Sequence, residues 1–298
     1  MRAFKSSDTI ALIGKYNAQG IEDPLRAIAT TLIDRGHKVL LDIDTAQRNP
    51  LPGLTGCSLT EIGQEAQLAV VVGGDGTMLG IARHLTPYDV PLVGINLGRL
   101  GFMTDIPLIH ATSALTAILE GAYQTEQRTM LSGQVIRNDT LIFNALALND
   151  VVVSRGAYGG MIEISVRVDN QPMTTQRADG LIVATPTGST AYALSAGGPI
   201  LHPQLGGFIL MPVAPHALTN RPIALPDSCK IEIQIHGPRM ATAHFDMQSL
   251  VEVRENDLIV VQRANHTVHL LHPQGYNYFA MLRQKLHWNT SPSLDILK

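Results

Sequence analysis

The chain has 298 residues, of which 45% are hydrophobic and 16% charged, and its formal net charge at pH 7 is −3. This composition predicts a globular protein large enough for two domains, excludes an intrinsically disordered chain, and argues against nucleic acid or a membrane as a partner, because basic tracts and long apolar runs are absent. Two widely separated cysteines, Cys57 and Cys229, and an N-terminus without a signal-like apolar stretch predict a cytoplasmic protein.

The first part of the chain alternates between predicted strands and helices. Residues 10–13 form an apolar strand, and Asp23-Pro24 is a typical helix start, followed by apolar residues at helical spacing up to Gly36. Further strands are predicted at residues 38–43, 67–72 and 91–95, and a helix at 111–119. Because the strand at 67–72 is almost uniformly apolar, both of its faces should be covered, as in a parallel sheet. We therefore expect an α/β domain with a parallel sheet over residues 1–128.

The pattern changes after Arg128 to short strands separated by turn pairs. Asn138-Asp139 and Asp169-Asn170 are such pairs. The predicted strands are residues 134–137, 141–144, 151–153, 162–168, 181–184, 231–236, 250–253, 258–261 and 268–271. This predicts a β-rich, sandwich-like domain over residues 129–275. A last helix begins at Tyr276, and we expect residues 276–298 to complete the first domain.

The sequence Gly73-Gly74-Asp75-Gly76-Thr77 follows the buried strand. Glycines let backbone N–H groups approach a phosphate, and a helix start adds the favourable end of its dipole, so Gly73, Gly74, Gly76 and Thr77 are predicted to cradle phosphates. A carboxylate beside bound phosphates would repel them unless it binds a cation or takes part in the reaction. Asp75 could hold Mg²⁺ on a triphosphate or take the proton from an attacking hydroxyl. The alternative is a tight turn capped by Asp75, with Thr77 capping the helix.

Other phosphate-binding motifs are missing from the chain. It has no Walker-type sequence, no protein-kinase motif set and no dinucleotide fingerprint after the first strand. The carboxyl end of a parallel strand is, however, the place where open α/β sheets bind ligands. This position favours a ligand site at residues 73–77 over a purely structural turn.

Residues 185–199 are rich in hydroxyl groups, small residues and glycines, and follow the strand predicted at 181–184. Such a segment suits a ligand with phosphates and riboses, and Tyr192 could stack on an adenine. A polar surface loop is the alternative. Asn149-Asp150 precedes another strand and could read an adenine edge and hold a ribose diol, although the pair taken alone is better explained as a turn. For Arg177 and Asp179 the alternative is a surface ion pair.

Eleven histidines raise the question of a metal site. His266 and His272 would share a strand face, but His269 would point to the opposite side, and no cysteine or carboxylate completes a set. We therefore predict no metal-ligand cluster.

These motifs together resemble the bacterial NAD kinase family. The residues that carry the resemblance are 73–77, 92–105, Asn149-Asp150, Asp179-Gly180 and 185–199, in the family's order along essentially the whole chain. The 73–77 turn alone also occurs in lipid kinases and relatives of phosphofructokinase, whereas residues 185–199 are more specific.

The resemblance implies an enzyme that moves the γ-phosphoryl of ATP to the 2′-hydroxyl of the adenosine ribose of NAD, making NADP. Asp75 stands at the family's catalytic aspartate, which acts as general base. Asp150 stands where many relatives have glutamate. The positions that the resemblance assigns to NAD binding are Asp75, Gly76, Asn149, Asp150, Arg177, Asp179, Thr190, Ala191, Tyr192, Ala193, Leu194, Ser195 and Gln248.

The resemblance also implies a divalent cation, Mg²⁺ or Mn²⁺, that arrives with ATP, no tightly bound organic cofactor, and a homodimer or homotetramer. Two other functions share some of these motifs. A lipid kinase would need an apolar substrate surface, and the chain shows no amphipathic basic helix for one. A non-catalytic sensor of adenine nucleotides would not need the carboxylate of Asp75.

Overall fold

The computed structural model describes residues 3–15, 18, 20–156, 159–237 and 240–288. The chain divides into two compact units, Met1–Glu126 with His269–Lys298, and Gln127–Val268. The last ten residues of the segment 276–298, predicted to complete the first domain, lie outside the described residues. Within the described ranges, no helix is both long and apolar enough to span a membrane.

The described residues form strands, α-helices and three short 3-10 helices. The strands are β1 (Thr9–Gly14), β2 (Lys38–Asp42), β3 (Gly56–Cys57), β4 (Leu68–Gly73), β5 (Leu92–Asn96), β6 (Ile106–Pro107), β7 (Tyr123–Arg137), β8 (Thr140–Ala147), β9 (Asp150–Ser154), β10 (Ile162–Val168), β11 (Gln171–Ala178), β12 (Gly180–Ala184), β13 (Gly207–Val213), β14 (Ile223–Pro226), β15 (Ile231–His236), β16 (Ala241–Phe245), β17 (Ser249–Val253) and β18 (Leu258–Pro273). The α-helices are α1 (Glu22–Asp34), α2 (Ile43–Arg48), α3 (Leu59–Glu65), α4 (Asp75–Leu85), α5 (Ala111–Leu119), α6 (Tyr192–Ser195) and α7 (Tyr278–Leu286). The 3-10 helices are Thr86–Tyr88, Leu108–His110 and Gly188–Thr190.

The first unit is built on a parallel sheet in the order β5-β4-β1-β2-β3. Every residue of β4 is buried, and its two neighbours pair with it in parallel, with Ile10 opposite Leu68 and Leu92 opposite Ala69. The core of this unit packs apolar residues of the sheet against α1 and α5. The prediction of a parallel sheet inside an α/β arrangement is confirmed. Because β4 and β5 are adjacent and parallel, the segments that follow them leave the sheet side by side.

Some helix boundaries in the first unit differ from the prediction. Helix α1 begins at Glu22, and Ile21 precedes it without a side-chain cap, so Asp23 is not the cap that the sequence suggested. Pro24 fits there because the first four N–H groups of a helix have no intrahelical partner. Helices α2 and α3 were not predicted, although Ser58 and Glu61 form a capping box at the start of α3.

The second unit is a β-sandwich, as predicted. One sheet is antiparallel in the order β14-β13-β12-β9-β16-β17, and the other contains β11, β10, β15 and the first part of β18, with the β7–β8 hairpin. Inward-facing residues of both sheets share one core. Strands β11, β13, β14 and β16 were not predicted, and the segments predicted at 258–261 and 268–271 are one long strand, β18.

Several hairpins of the second unit turn through two residues with left-handed backbone. Asn138 and Asp139 have φ of 48° and 60°, and Asp169 and Asn170 have φ of 49° and 64°. Both pairs were predicted as turns, and asparagine and aspartate tolerate this conformation. Asp246 and Met247, between β16 and β17, have φ of 53° and 54° and form a third such pair, which was not predicted.

Candidate active site

Asp75 lies at the carboxyl edge of the parallel sheet in the first unit. Strand β4 ends at Gly73, Gly74 is extended, and α4 begins at Asp75. The side chain of Asp75 is therefore in the first turn of a helix, where the helix dipole favours a negative charge. Asp75 as a whole is only partly buried.

The Asp75 carboxylate is held by the segment that follows β5. The backbone N–H of Phe102 donates to Oδ2 at 2.8 Å, and that of Met103 donates to Oδ1 at 3.0 Å. The hydroxyl of Thr104 donates to Oδ1 at 3.3 Å. Both oxygens thus have fixed orientations, and Asp75 makes tertiary contacts instead of capping its own turn. Thr77 is not a helix cap either, since it lies inside α4.

The side chain of Asn96, at the end of β5, holds this segment by hydrogen bonds to its backbone. Its side chain is buried, its Oδ1 accepts from the N–H of Gly98 at 2.5 Å, and its Nδ2 donates to the carbonyls of Arg99 and Thr104. Gly101 closes the arrangement, because a Cβ at this position would collide with the Asp75 carboxylate. Asn96 and Gly101 therefore determine where the donors to Asp75 lie.

The glycines predicted to cradle phosphates differ in their surroundings. Gly73 is buried, and a Cβ there would lie 2.6 Å from the Thr77 hydroxyl. A Cβ on Gly74 or Gly76 would meet no described atom within 4 Å. Packing therefore explains the glycine at position 73, whereas approach by a ligand is a reason for glycine at 74 and 76. The N–H of Thr77 donates to the carbonyl of Gly74 at 2.9 Å.

In the second unit, the structure brings the Asn149-Asp150 segment against the start of residues 185–199. The N–H of Thr185 donates to the carbonyl of Asn149 at 2.9 Å, and its hydroxyl donates to the carbonyl of Leu148 at 2.6 Å. Gly188 packs so closely on the backbone of Asn149 that no side chain fits there. Two predicted parts of the site are thus adjacent within this unit.

The hydroxyl groups of this segment stabilise the segment itself. Ser189 donates to the carbonyl of Pro186 at 2.6 Å and accepts from the N–H of Leu201 at 2.9 Å, and the hydroxyl of Thr190 donates to the carbonyl of Thr187 at 3.0 Å. The methyl group of Ala193 is buried, whereas Tyr192 and Ser195 are exposed. The hydroxyl protons of Ser189 and Thr190 are thus donated within the segment, and the role of this segment in ligand binding stays a prediction. The segment is also folded, since it contains a 3-10 helix and α6.

An open pocket of about 190 Å³ lies beside Tyr192. Its lining residues are Val152, Ser154, Arg155, Gly156, Asp179, Gly180, Tyr192 and Val213. The carboxylate of Asp179 pairs with Arg155 at 3.1 Å, so the partner of Asp179 is not Arg177. Arg177 is exposed outside this lining, and its carbonyl accepts from the N–H of His216 at 2.8 Å.

Asp150 is a buried acid at the start of β9. It is 2% exposed, and no described group hydrogen-bonds to its Oδ1. Burial first, and then the negative charge of Asp246, raise the pKa of the Asp150 carboxyl from 3.8 to about 7. At neutral pH this group is therefore divided between its protonated and ionised forms, and it can donate as well as accept a hydrogen bond.

Asp246 is the residue near this site that the sequence did not reveal. Its carboxylate accepts from the N–H groups of Leu148, Asn149 and Asp150. The signal that could have found it is the single acid Asp246 between two segments of alternating polar and apolar residues, a spacing that indicates a hairpin. Gln248, predicted from the resemblance, is exposed two residues further along and donates its N–H to the carbonyl of Phe245 at 3.0 Å.

Comparison with known proteins assigns both halves of the chain. Residues 10–123 match the family model of the ATP-NAD kinase N-terminal domain, and residues 148–272 match that of the C-terminal domain. A protein of Burkholderia thailandensis called NAD kinase is 55% identical over 285 residues, which cover 96% of this chain and 95% of that protein. The chain belongs to the NAD kinase family.

Solved structures of NAD kinases share this fold. An NAD kinase from Archaeoglobus fulgidus in complex with ATP aligns with a TM-score of 0.74 and 28% identity, covering 93% of this chain and 98% of that one. A yeast NADH kinase complexed with NADH aligns with a TM-score of 0.88 and 22% identity, covering 97% and 89%. Within the family models, Asp75 falls in the N-terminal match, and Asn149, Asp150 and Gln248 fall in the C-terminal match.

Proposed function

We propose that this protein is an NAD kinase that transfers the γ-phosphoryl group of ATP to the 2′-hydroxyl of the adenosine ribose of NAD, forming NADP. Family membership over both domains supports the reaction class. The observation that carries the proposal for this chain is the carboxylate of Asp75, oriented by two N–H groups and a hydroxyl at the start of α4. Phosphoryl transfer depends mainly on positioning and charge neutralisation, which such a rigid site can supply.

The proposed role of Asp75 is to accept the proton of the 2′-hydroxyl as that oxygen attacks the γ-phosphorus. A base must lie within hydrogen-bonding reach of the proton it removes, and a carboxylate with fixed orientation satisfies this need with little reorganisation. The divalent cation, Mg²⁺ or Mn²⁺, enters with ATP as part of the substrate and neutralises the phosphate charge. We assign Gly73, Gly74, Gly76 and Thr77 to the phosphates.

The adenosine part of NAD is assigned to the second unit. Asn149 offers an amide to the adenine edge, and Asp150, with its unpartnered buried oxygen, offers an acceptor or donor to the ribose. Asp179 and Tyr192 line one pocket, which supports their assignment to the same ligand. The further positions proposed for NAD binding are Gly76, Arg177, Thr190, Ala191, Ala193, Leu194, Ser195 and Gln248. We propose in addition a cytoplasmic homodimer or homotetramer.

The reaction is tested by incubating the protein with ATP, Mg²⁺ and NAD, and detecting the product with an NADP-specific dehydrogenase. A signal that requires all three components supports the proposal, because only a 2′-phosphorylated product is accepted. Absence of signal from folded protein, with Mn²⁺ also tried, would overturn it, and phosphorylation of a lipid extract would then identify a lipid kinase.

The role of Asp75 is tested by the Asp75→Asn variant. If Asp75 is the base, turnover falls by about 10²- to 10⁴-fold while NAD binding largely survives. Asp23→Asn is the matched control, because Asp23 is also an acid in the first turn of a helix, is exposed, and lies in α1. Unchanged turnover of Asp75→Asn, or an equal loss in the control, would remove Asp75 from the chemistry.

A further inference from the structure

The carboxylate of Asp246 accepts hydrogen bonds from three consecutive backbone N–H groups. The N–H of Leu148 donates to Oδ2 at 2.8 Å, and those of Asn149 and Asp150 donate to Oδ1 at 2.7 and 3.1 Å. In return, the N–H of Asp246 donates to the carbonyl of Asp150 at 3.0 Å. Asp246 is 5% exposed, so these bonds form away from water, where bonds to a charged acceptor are strong.

The left-handed backbone conformation of Asp246 allows its side chain to reach these N–H groups. Its φ of 53° belongs to the left-handed hairpin turn between β16 and β17, and this turn places the side chain against the start of β9. The hairpin itself needs only a residue that tolerates left-handed backbone, as asparagine does. The turn therefore accounts for the left-handed backbone of Asp246. The three N–H groups account for a negatively charged side chain at this position.

The segment held in this way carries two of the proposed NAD ligands. Asn149 and Asp150 lie directly at the bonded amides, so a change in these bonds would move both side chains. The negative charge of Asp246 also acts on the buried carboxyl of Asp150. We propose that Asp246 is a positioning residue for NAD, whose carboxylate fixes Asn149 and Asp150 in the orientation that binds the adenosine part of the substrate. This inference rests on the proposed function.

The test measures the steady-state kinetics of ATP-dependent NAD phosphorylation for the wild-type protein and for the variants Asp246→Asn and Asp169→Asn. Asparagine tolerates the left-handed backbone but places an N–H₂ group where one carboxylate oxygen accepted, so at least one bond is lost. We expect the KM for NAD to rise by about 10-fold or more, while the KM for ATP changes by less than about twofold. Asp169 is the matched control, because it occupies a left-handed turn of the same unit and accepts from the N–H of Lys230 at 2.9 Å.

A second readout separates positioning from mere support of the fold. Loss of the Asp246 charge should lower the pKa of Asp150 and shift the pH dependence of the KM for NAD toward lower pH. A loss of stability alone would not move that profile. If Asp246→Asn does not fold, Asp246→Glu keeps the charge but displaces the oxygens by one methylene, and it should raise the KM for NAD without shifting the profile.

The outcomes are distinguishable. Wild-type protein that is folded but makes no NADP would overturn the proposed function. Active wild-type protein, together with an Asp246→Asn variant whose KM for NAD and pH profile are unchanged, would overturn only the inference about Asp246. Equal increases in the KM values for NAD and ATP would also contradict it, because the positioned residues are assigned to NAD alone.

Discussion

The carboxyl group of Asp150 is buried at the start of β9, next to the negative charge of Asp246. A raised pKa means that ionisation of this group costs more in the folded protein than in the unfolded chain. Its contribution to stability is therefore fully present below the ordinary pKa of 3.8 and is lost as the pH rises through about 7. A buried acid whose ionisation destabilises the folded protein at neutral pH is typical of functional sites.

Asp150→Asn should remove this pH dependence. The stability of the variant relative to wild type should increase by about 2 to 3 kcal/mol between pH 5 and pH 8, because wild type alone must ionise the buried group over this range. Urea denaturation at both pH values measures the difference. Asp139→Asn, in an exposed turn, is the control. A stability difference that does not vary with pH would show that Asp150 ionises without cost.

At the scale of elements, the segment between β5 and β6 packs against the turn that carries Asp75. It supplies each of the three donors described above for Asp75, and Asn96 fixes its path. Gly94 makes the approach possible, since a Cβ there would collide with the carbonyl of Met103. The orientation of Asp75 thus depends on two parallel strands lying side by side.

Gly101→Ala should disturb this orientation. The new Cβ would collide with the Asp75 carboxylate and the Thr104 hydroxyl, so the segment or the carboxylate must shift. We expect kcat to fall by about 10²-fold, a typical result of misplacing a reacting group by about 1 Å. Gly98→Ala is the control in the same segment, because its Cβ would meet nothing within 4 Å. Equal kcat values for the two variants would contradict this account.

Another contact between elements joins β18, β7 and the segment before β6. His272 is 1% exposed, and its Nδ1 and Nε2 lie 3.1 Å from Asp105 and 3.2 Å from Glu126. Burial lowers the pKa of His272, but the hydrogen bonds and charges of the two acids outweigh it and raise the pKa above 6.5. The stabilisation is therefore fully present below pH 6.5 and is lost as the pH rises through the raised pKa.

His272→Gln should destabilise the protein by about 3 to 5 kcal/mol at pH 6, because it removes the cationic group beside two largely buried carboxylates. The loss should be smaller at pH 9, where wild-type His272 is less protonated. Thermal or urea unfolding at both pH values measures it. His269→Gln is the control, since His269 pairs with the exposed Asp89 at 3.3 Å and such pairs contribute little. A loss that is greater at pH 9 would refute the charged state of His272.

At the scale of the whole molecule, the chain has two units, each with its own apolar core. Ligands that bind only the native state add to its stability by mass action. NAD at 100 times its Kd should therefore add about 2.7 kcal/mol to the free energy of unfolding. Urea titration with and without NAD measures this gain. Nicotinamide mononucleotide, which lacks the adenosine part, is the control at the same concentration. It should increase the free energy of unfolding by less than NAD does. An equal increase would contradict the assignment of Asn149 and Asp150 to adenosine.

The sequence by itself determined the features that depend on neighbouring residues. The buried run at β4, the strand at 162–168 and the turn pairs Asn138-Asp139 and Asp169-Asn170 follow from periodicity and from residues that tolerate left-handed backbone. The glycine-rich turn around Asp75 was visible for the same reason, and the family resemblance extended it to a candidate site.

Only the tertiary structure decided which groups meet. Asp75 finds its donors 27 to 29 residues away, and Asp246 holds N–H groups 96 to 98 residues away. It also showed that Ser189 and Thr190 use their hydroxyl protons within their own segment. Such contacts depend on strand order and register, which bring distant segments together, whereas local sequence patterns record only the conformation of each segment.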